Sequence, residues 1–173
     1  MSNTITITIN GQECSCQAGD GVLQVALDHN IDIPHFCYHE DLPIGASCRI
    51  CLVEHEGKVV TSCSLKAEEG MSITSESEGV SVLRKKNLEL LLSNHQSVCT
   101  KCQKGYVCKS AEIMNQYKIE PDKYQKPPAG CPLHKLGTAA ELDADACIGC
   151  NKCVEMCQKI GVGFLRLDGK GAK

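Results

Sequence analysis

The sequence predicts an α+β protein in which hairpins and one helix form a first unit and short helices follow. Three patterns lead to that class. Residues 4–9, TITITI, alternate strictly between polar and apolar side chains, as a strand with one buried face does. Asn10-Gly11 follows and favours a tight hairpin turn into a second strand at 12–16. From Val80 onwards, apolar side chains recur at helical spacing instead.

The first helix is predicted between a capping residue and a terminating residue. Asp20 is a candidate N-cap, because its short carboxylate can accept hydrogen bonds from the first helical amides. Asn30 can end the helix in the left-handed region. The apolar face between them comprises Val22, Leu23, Ala26 and Leu27.

A second hairpin completes the first unit. Leu52–His55 and Lys58–Ser62 have the composition of strands, and Glu56-Gly57 suits the turn between them. Met71–Thr74 is predicted as a last short strand, so the unit ends near residue 76.

Two helices, a linker and a last short unit are predicted in the later part of the chain. The first of these helices leads to His95, with a solvent face of Arg84, Lys85 and Glu89. Its apolar face comprises Val80, Leu83, Leu88, Leu91 and Leu92. A short helix at 109–117 and a Pro-rich linker at 118–130 follow. A last unit begins at about residue 131.

Composition indicates a protein held together by metal centres. Only 3% of the 173 residues are aromatic, yet fourteen are cysteine. The N-terminus has no signal-peptide pattern and no apolar run is long enough to cross a membrane. We therefore expect a cytoplasmic chain whose cysteines bind metal rather than form disulfides. The net charge of −3 and the short basic run at 84–86 favour a solvated helix face over nucleic-acid binding.

The first of three cysteine groups has the spacing C-x10-C-x2-C-x11-C and comprises Cys37, Cys48, Cys51 and Cys63. Four thiolates suit a [2Fe-2S] cluster, a [4Fe-4S] cluster or zinc. The small residues Gly45, Ala46 and Ser47 let backbone amides approach inorganic sulfide. Loop ligands followed by a ligand at a strand end favour [2Fe-2S].

The second group has the spacing H-x3-C-x2-C-x5-C and comprises His95, Cys99, Cys102 and Cys108. The cysteines that follow so closely favour His95 as a ligand of a [4Fe-4S] cluster. A neutral imidazole in place of a thiolate removes negative charge and raises the reduction potential. A structural zinc on the same residues is the physical competitor.

The third group has the spacing C-x2-C-x2-C-x3-C and comprises Cys147, Cys150, Cys153 and Cys157. This spacing is typical of a [4Fe-4S] ferredoxin site, where the last cysteine normally binds a second cluster. The sequence ends at Lys173 without a second run, which leaves the fourth ligand open. Candidates are Cys157, which we prefer, Cys131, a group from another subunit, or none in a three-iron cluster.

The remaining residues give no sign of a reaction centre. Cys14 and Cys16 lie on one face of a predicted strand and are expected to be buried small apolar residues. No G-x-G-x-x-G follows a strand, and no G-x4-G-K-[ST] occurs, so no flavin or nucleotide is expected on this chain. No catalytic triad or carboxylate pair stands out, so no catalytic residue is expected.

The order of the motifs resembles the N-terminal iron–sulfur region of the large peripheral-arm subunit of complex I. It is also similar to that region of [FeFe]-hydrogenases, and to the small iron–sulfur subunits of NAD(P)-linked hydrogenase and formate dehydrogenase complexes. The resemblance is carried by IDIPHFCYHEDLPIGASCRICLVE, LELLLSNHQSVCTKC and DACIGCNKCVEMCQKIGVG. It implies a β-grasp [2Fe-2S] ferredoxin domain at 1–76, a small helical one-His three-Cys [4Fe-4S] domain at 78–128, and a partial bacterial-ferredoxin-like unit at 131–173.

The resemblance also implies a function and partners. One [2Fe-2S] and two [4Fe-4S] clusters would relay single electrons in a cytoplasmic, anaerobic complex, and this subunit itself would be non-catalytic. The expected partners are a flavoprotein that handles NAD(P)H, a thioredoxin-like [2Fe-2S] subunit, and a hydrogenase or formate dehydrogenase catalytic subunit. The alternatives are a free-standing multi-cluster ferredoxin and a multi-zinc interaction module.

Overall fold

The structure of the protein, a computed structural model, describes residues 4–96, 107–120, 123–124, 134–138 and 140–166. These residues form a mixed sheet, a small second sheet and several short helices. The α+β class predicted from the sequence is therefore confirmed. Within the described ranges, no helix has the length and apolar character needed to cross a membrane.

The main sheet has five strands in the order β2-β1-β5-β3-β4. Their bounds are Thr4–Ile9 for β1, Gln12–Gln17 for β2, Leu52–His55 for β3, Lys58–Thr61 for β4 and Ser72–Thr74 for β5. Both predicted hairpins are present, and their turns have the expected positive φ at Asn10, Gly11, Glu56 and Gly57. β1 pairs in parallel with β5, with Thr8 opposite Ser72, which local sequence patterns did not predict.

The first helix, α1, spans Val22–Asp28. Asn30 has a φ of 58°, so the predicted left-handed termination is confirmed. The predicted N-cap is wrong: Gly21 is the capping residue and makes no side-chain cap bond. Asp20 instead accepts a hydrogen bond at Oδ2 from the amide of Gln17, at 2.8 Å, because the preceding turn brings that amide closer than the helix.

Four more elements with helical backbone follow the sheet. They are α2 at Glu78–Leu91, a 3-10 turn at Leu92–Asn94, α3 at Lys109–Gln116 and α4 at Lys152–Lys159. α3 confirms the short helix predicted at 109–117. α4 and the two-stranded sheet of β6 (His134–Lys135) and β7 (Glu141–Leu142) were not predicted.

The solvent face predicted for α2 is wrong at two positions. Arg84 is 2% exposed and Glu89 is 4% exposed, whereas Leu83 on the predicted apolar face is 41% exposed. Arg84 falls between Val80 and Leu88 in a row of buried residues spaced by one helical turn. A charged side chain can be buried in that row when hydrogen-bond acceptors surround it. Backbone carbonyl oxygens accept hydrogen bonds from Arg84 there.

The core lies between the main sheet and α1, and it is almost entirely aliphatic. Its fully buried members include Ile7, Ile9, Leu23, Val53 and Ile73. Packing of branched aliphatic side chains therefore compensates for the low aromatic content that made the core look thin from composition alone.

By contacts, the chain divides into two compact units. The first comprises Met1–Arg84 and Asn151–Arg166, and the second comprises Lys85–Cys150 and Leu167–Lys173. The domain boundaries that the resemblance implied at 76, 78, 128 and 131 stay a prediction. Of the expected linker at 118–130, residues 121–122 and 125–130 lie outside the described part of the chain.

Candidate metal centre

The first cysteine group lies in one place in the first unit. Cys37 and Cys48 belong to the long segment between α1 and β3, Cys51 directly precedes β3, and Cys63 follows β4. All four side chains are buried, with between 1% and 7% of each residue exposed. None of the cysteines in the described ranges forms a disulfide bond.

The four thiols form two hydrogen-bonded pairs. The Cys48 thiol donates to the sulfur of Cys37, which lowers the pKa of Cys37 and raises the pKa of Cys48. Cys63 and Cys51 are related in the same way: their hydrogen bond lowers the pKa of Cys51 and raises that of Cys63. Negative charge on Cys37 and Cys48 further raises the pKa of Cys63, so the two pairs lie within electrostatic reach of each other.

Several neighbouring groups donate hydrogen bonds to these sulfurs. The amides of Ser47 and Cys48 and the Ser47 hydroxyl stabilise the thiolate of Cys37, and the amide of Cys63 stabilises that of Cys51. Donors of this kind stabilise negative charge on thiolates and shift the potential of any cluster that they hold. The expectation that small residues in this loop let backbone amides approach inorganic sulfide stays a prediction.

The loop that carries Cys37 and Cys48 has unusual backbone conformations. Ala46 has a φ of 44° and Arg49 a φ of 55°, both in the left-handed region that non-glycine residues seldom adopt. These turns bend the chain on either side of Cys48 and so aim its thiol inwards. Strained backbone of this kind concentrates at functional sites.

The C-terminal helix α4 packs against the same loop within the first unit. The Lys159 ammonium donates to the backbone carbonyl oxygen of Asp41, and Glu155 lies against Gly45. A Cβ on Gly45 would lie 3.3 Å from Oε1 of Glu155, so the absence of a side chain there makes room for the carboxylate. The sequence analysis assigned Gly45 to amide access and missed this second reason for a glycine.

Arg84 contacts the backbone on both sides of Cys51. Its guanidinium donates from Nε to the carbonyl of Ile50 at 2.9 Å, and from Nη2 to the carbonyl of Leu52 at 2.5 Å. A further bond from Nη2 reaches the carbonyl of Ser75 at 3.1 Å. Hydropathy placed Arg84 on the solvent face of α2, so these contacts were not predicted.

The second group is described at two of its four positions. His95 is buried, at 9% exposed, directly after the 3-10 turn, and Cys108 directly precedes α3. Cys99 and Cys102 lie outside the described residues. The amide of Gln96 donates to the carbonyl of Asp145 at 3.0 Å, which brings the chain beside His95 close to the start of the third group.

The third group is divided between the two units, and each half is described by itself. In the second unit, Cys147 is exposed and its sulfur accepts from the amide of Gly149 at 3.4 Å, while Cys150 is half-buried. In the first unit, Cys153 is exposed and Cys157 is buried on α4. The amide of Leu165 lies 3.5 Å from the Cys157 sulfur, as a donor to a thiolate would. Cys131 lies outside the described residues.

Of the two remaining cysteines predicted to be buried, Cys14 is buried and Cys16 is half-buried. Cys14 is fully buried in the core, and Cys16 packs partly against it. Burial raises the pKa of both thiols, as expected for packing residues rather than metal ligands.

The donor set of the first group fits a two-iron centre. Among the described residues, no three His, Cys, Asp or Glu side chains already surround a single ion-sized position. The buried thiols are arranged instead as two pairs, one for each iron of a [2Fe-2S] unit, with amide and hydroxyl donors around them. Four thiolates in a pocket without a disulfide are the ligand set that such clusters use.

Comparison with known families identifies two regions. Residues 2–78 match a 2Fe-2S iron-sulfur cluster binding domain. Residues 84–121 match the NADH-ubiquinone oxidoreductase-G iron-sulfur binding region. The chain therefore carries a 2Fe-2S domain followed by an iron–sulfur binding region.

Curated relatives match almost the whole chain. A G-type NADH-quinone oxidoreductase subunit of Rhizobium meliloti (strain 1021) is 33% identical over 169 residues, which is 94% of this chain and 20% of that protein. The NADH-ubiquinone oxidoreductase 75 kDa subunit of Reclinomonas americana is 31% identical over 170 residues, 96% of this chain and 25% of that protein. The chain thus spans a fifth to a quarter of the length of these relatives.

A solved structure has the same fold. One chain of NAD+-reducing [NiFe]-hydrogenase in the H2-reduced state superposes with a TM-score of 0.85 at 28% identity, covering 96% of this chain and 71% of that one. The resemblance inferred from the three cysteine motifs is confirmed by these comparisons.

Proposed function

We propose that this chain, an iron–sulfur protein of the NADH-quinone oxidoreductase G type, relays single electrons within an oxidoreductase complex. The observation that carries the proposal is the convergence of Cys37, Cys48, Cys51 and Cys63 as two buried pairs. A [2Fe-2S] cluster bound there supplies one-electron chemistry at the potential that its surroundings set. The protein's part is to bury the four thiolates, to donate hydrogen bonds to them and to exclude water.

The paired arrangement also separates this function from the zinc alternative. A structural zinc takes four thiolates around one ion, and all four then lie at similar distances from a single centre. Two hydrogen-bonded pairs supply two thiolates to each of two irons instead. The donors to Cys37 and Cys51 stabilise negative charge on these thiolates and would shift the potential of a cluster that they hold.

The second and third sites extend the proposal. His95, Cys99, Cys102 and Cys108 would hold one [4Fe-4S] cluster, and Cys147, Cys150, Cys153 and Cys157 another. The buried position of His95 supports a ligand role, and the Gln96–Asp145 hydrogen bond supports a second site close to the start of the third. Burial of Cys157 and the nearby amide of Leu165 support Cys157 as the fourth ligand of the third cluster.

The proposal also includes three domains within this chain and the partner subunits of the complex. Residues 1–76 form a β-grasp ferredoxin domain, 78–128 the one-His three-Cys domain, and 131–173 a partial bacterial-ferredoxin-like unit. In a cytoplasmic, anaerobic complex, the chain passes electrons between a flavin and NAD(P)H module and a hydrogenase or formate dehydrogenase module, with a thioredoxin-like [2Fe-2S] subunit as a further partner. The names of the relatives and of the solved neighbour, NADH-quinone oxidoreductase and NAD+-reducing hydrogenase, support this choice.

The test is metal and sulfide analysis of the protein purified without oxygen, followed by electron paramagnetic resonance of the reduced sample. We expect iron and acid-labile sulfide in equal amounts, little zinc, and one [2Fe-2S] signal beside [4Fe-4S] signals. A colourless protein that contains zinc and no sulfide would overturn the proposal. A loaded protein that copurifies with no partner and exchanges electrons alone would support the free-standing ferredoxin instead.

A further inference from the structure

A buried arginine lies directly behind one of the candidate cluster ligands. Arg84 is 2% exposed and belongs to α2, which follows the sheet in the chain. Its guanidinium donates to the carbonyls of Ile50 and Leu52, the residues on either side of Cys51. A third bond, to the carbonyl of Ser75, holds the guanidinium against the chain that leaves β5.

The backbone at Cys51 is a tight turn that these bonds hold together. The amide of Leu52 donates to the carbonyl of Ile50 at 2.8 Å, which closes a three-residue turn centred on Cys51. The same Ile50 carbonyl accepts from Nε of Arg84. On the other side, the amide and the hydroxyl of Ser62 donate to the carbonyl of Cys51, at 2.8 and 2.9 Å. The direction in which the Cys51 thiol points is therefore set by the contacts of this turn.

We propose that Arg84 is a positioning residue for the first iron–sulfur site: it fixes the turn that presents Cys51 and raises the reduction potential of the cluster held there. This inference rests on the proposed function and deepens it. The resemblance implies a set of ligands only, and it assigns no role to Arg84.

The chemistry of arginine explains both parts of the role. A guanidinium stays protonated at all accessible pH values, and its planar fork matches two carbonyls on one side of a turn better than a lysine ammonium does. One-electron reduction transfers an electron from a reductant to the cluster and adds one negative charge to a buried site. A fixed positive charge next to the Cys51 backbone stabilises that added charge, because buried charges are screened less than exposed ones.

A role confined to folding is the competing explanation, since Arg84 also binds the Ser75 carbonyl. The potential of the cluster separates the two. Loss of a merely structural contact lowers stability and leaves the potential of a loaded cluster unchanged. Loss of a buried charge beside the site moves the potential to more negative values even when the protein stays folded.

The experiment compares Arg84→Gln, Arg84→Lys and the control Lys86→Gln in the full chain. Lys86→Gln removes the same charge from an exposed position on the same helix. Each protein is purified without oxygen and titrated with low-potential viologen mediators as reductant, while the [2Fe-2S] signal is followed by electron paramagnetic resonance. Visible circular dichroism, which reports the conformation of the ligand cysteines, is recorded alongside.

We expect Arg84→Gln to lower the equilibrium constant for reduction at least tenfold, a negative shift of about 59 mV for one electron. Lys86→Gln should match the wild type. Arg84→Lys keeps the charge and loses the fork, so it should show a smaller negative shift together with altered g values and altered visible circular dichroism. If Arg84→Gln does not bind its cluster, the g values and visible circular dichroism of Arg84→Lys test the inference in its place.

Three results would overturn the inference. The first is a loaded Arg84→Gln whose midpoint equals that of Lys86→Gln. The second is an Arg84→Lys variant with wild-type midpoint and spectra. The third is loss of far-UV circular dichroism in both Arg84 variants, because that shows a general role in folding. If both variants stay folded but lose the first cluster, the result supports the positioning role. Wild-type protein without iron would overturn both the proposed function and this inference. A wild type that contains its clusters, with Arg84 variants that have the same midpoint and spectra, would overturn this inference alone.

Discussion

The ammonium of Lys123 lies 2.6 Å from Oε2 of Glu89, and the Glu89 side chain is only 2% exposed. The hydrogen bond to Glu89 and the negative charge of that carboxylate raise the pKa of Lys123, so the lysine stays protonated at neutral pH. Both residues belong to the second unit, where the pair joins α2 to the chain beyond α3. Residues 123–124 of the expected linker are therefore tied to a helix at this point.

Replacing Lys123 with Met should destabilise the second unit. The buried Glu89 carboxylate then loses the cation that offsets its removal from water. We expect the melting temperature of the loaded protein, measured by circular dichroism, to fall by several degrees. Lys109→Met, at an exposed position on α3, is the matched control and should have little effect. Adding Glu89→Gln to Lys123→Met should recover part of the loss; an unchanged melting temperature in the single variant would contradict this account.

Replacing Cys51 with Ser should remove the [2Fe-2S] cluster. Cys51 pairs with Cys63, and a serine hydroxyl is a poor substitute for a thiolate that binds iron. Iron and sulfide content should fall by the share of one two-iron cluster, with loss of its paramagnetic signal. Cys16→Ser, which changes a partly buried packing residue, should retain the full content. Equal loss of iron in both variants would count against the assignment of the ligands.

Replacing His95 with Cys should lower the reduction potential of the second cluster. The substitution keeps four side-chain ligands but adds the negative charge that a neutral imidazole lacks, which disfavours the reduced state. A mediated redox titration measures the shift, with His29→Gln as the control at the C-terminus of α1. A midpoint that stays constant or rises in the His95 variant would argue that this histidine binds no cluster.

Replacing Gly45 with Val should loosen α4 from the loop of the first site. The new side chain meets the carboxylate of Glu155, since even a Cβ would lie 3.3 Å from its Oε1. We expect a loss of about 1 kcal/mol in unfolding free energy and faster tryptic cleavage at Lys159. Adding Glu155→Ala should restore most of the loss. Gly79→Ala, at a position with no atom within 4 Å, is the control, and a double variant no better than Gly45→Val would refute the contact.

Local patterns predicted the elements whose residues are close in sequence. Both hairpins, α1 and α3 follow from alternation, turn residues and helical spacing within short windows. The grouping of the first four cysteines could also be predicted, because iron–sulfur ligands recur at typical spacings. Such signals need no knowledge of which distant segments meet.

Burial of Arg84 could not be predicted in this way. Its acceptors at Ile50 and Leu52 lie 34 and 32 residues earlier in the chain, and only the folded sheet brings them to α2. Hydropathy alone assigns an arginine to solvent, because burying it without partners is costly. The parallel pairing of β1 with β5 was missed for the same reason. Thr8 and Ser72 are far apart in sequence, and only folding of the segment between them makes them neighbours.

That pairing has a consequence for biosynthesis. Cys37, Cys48, Cys51 and Cys63 all precede β5 in the chain, while β1 needs β5 as its second neighbour. During translation the four thiols therefore leave the ribosome before the strand that completes the sheet. A chain that ended before Ser72 would contain all four cysteines but would lack the strand that joins β1 to β3.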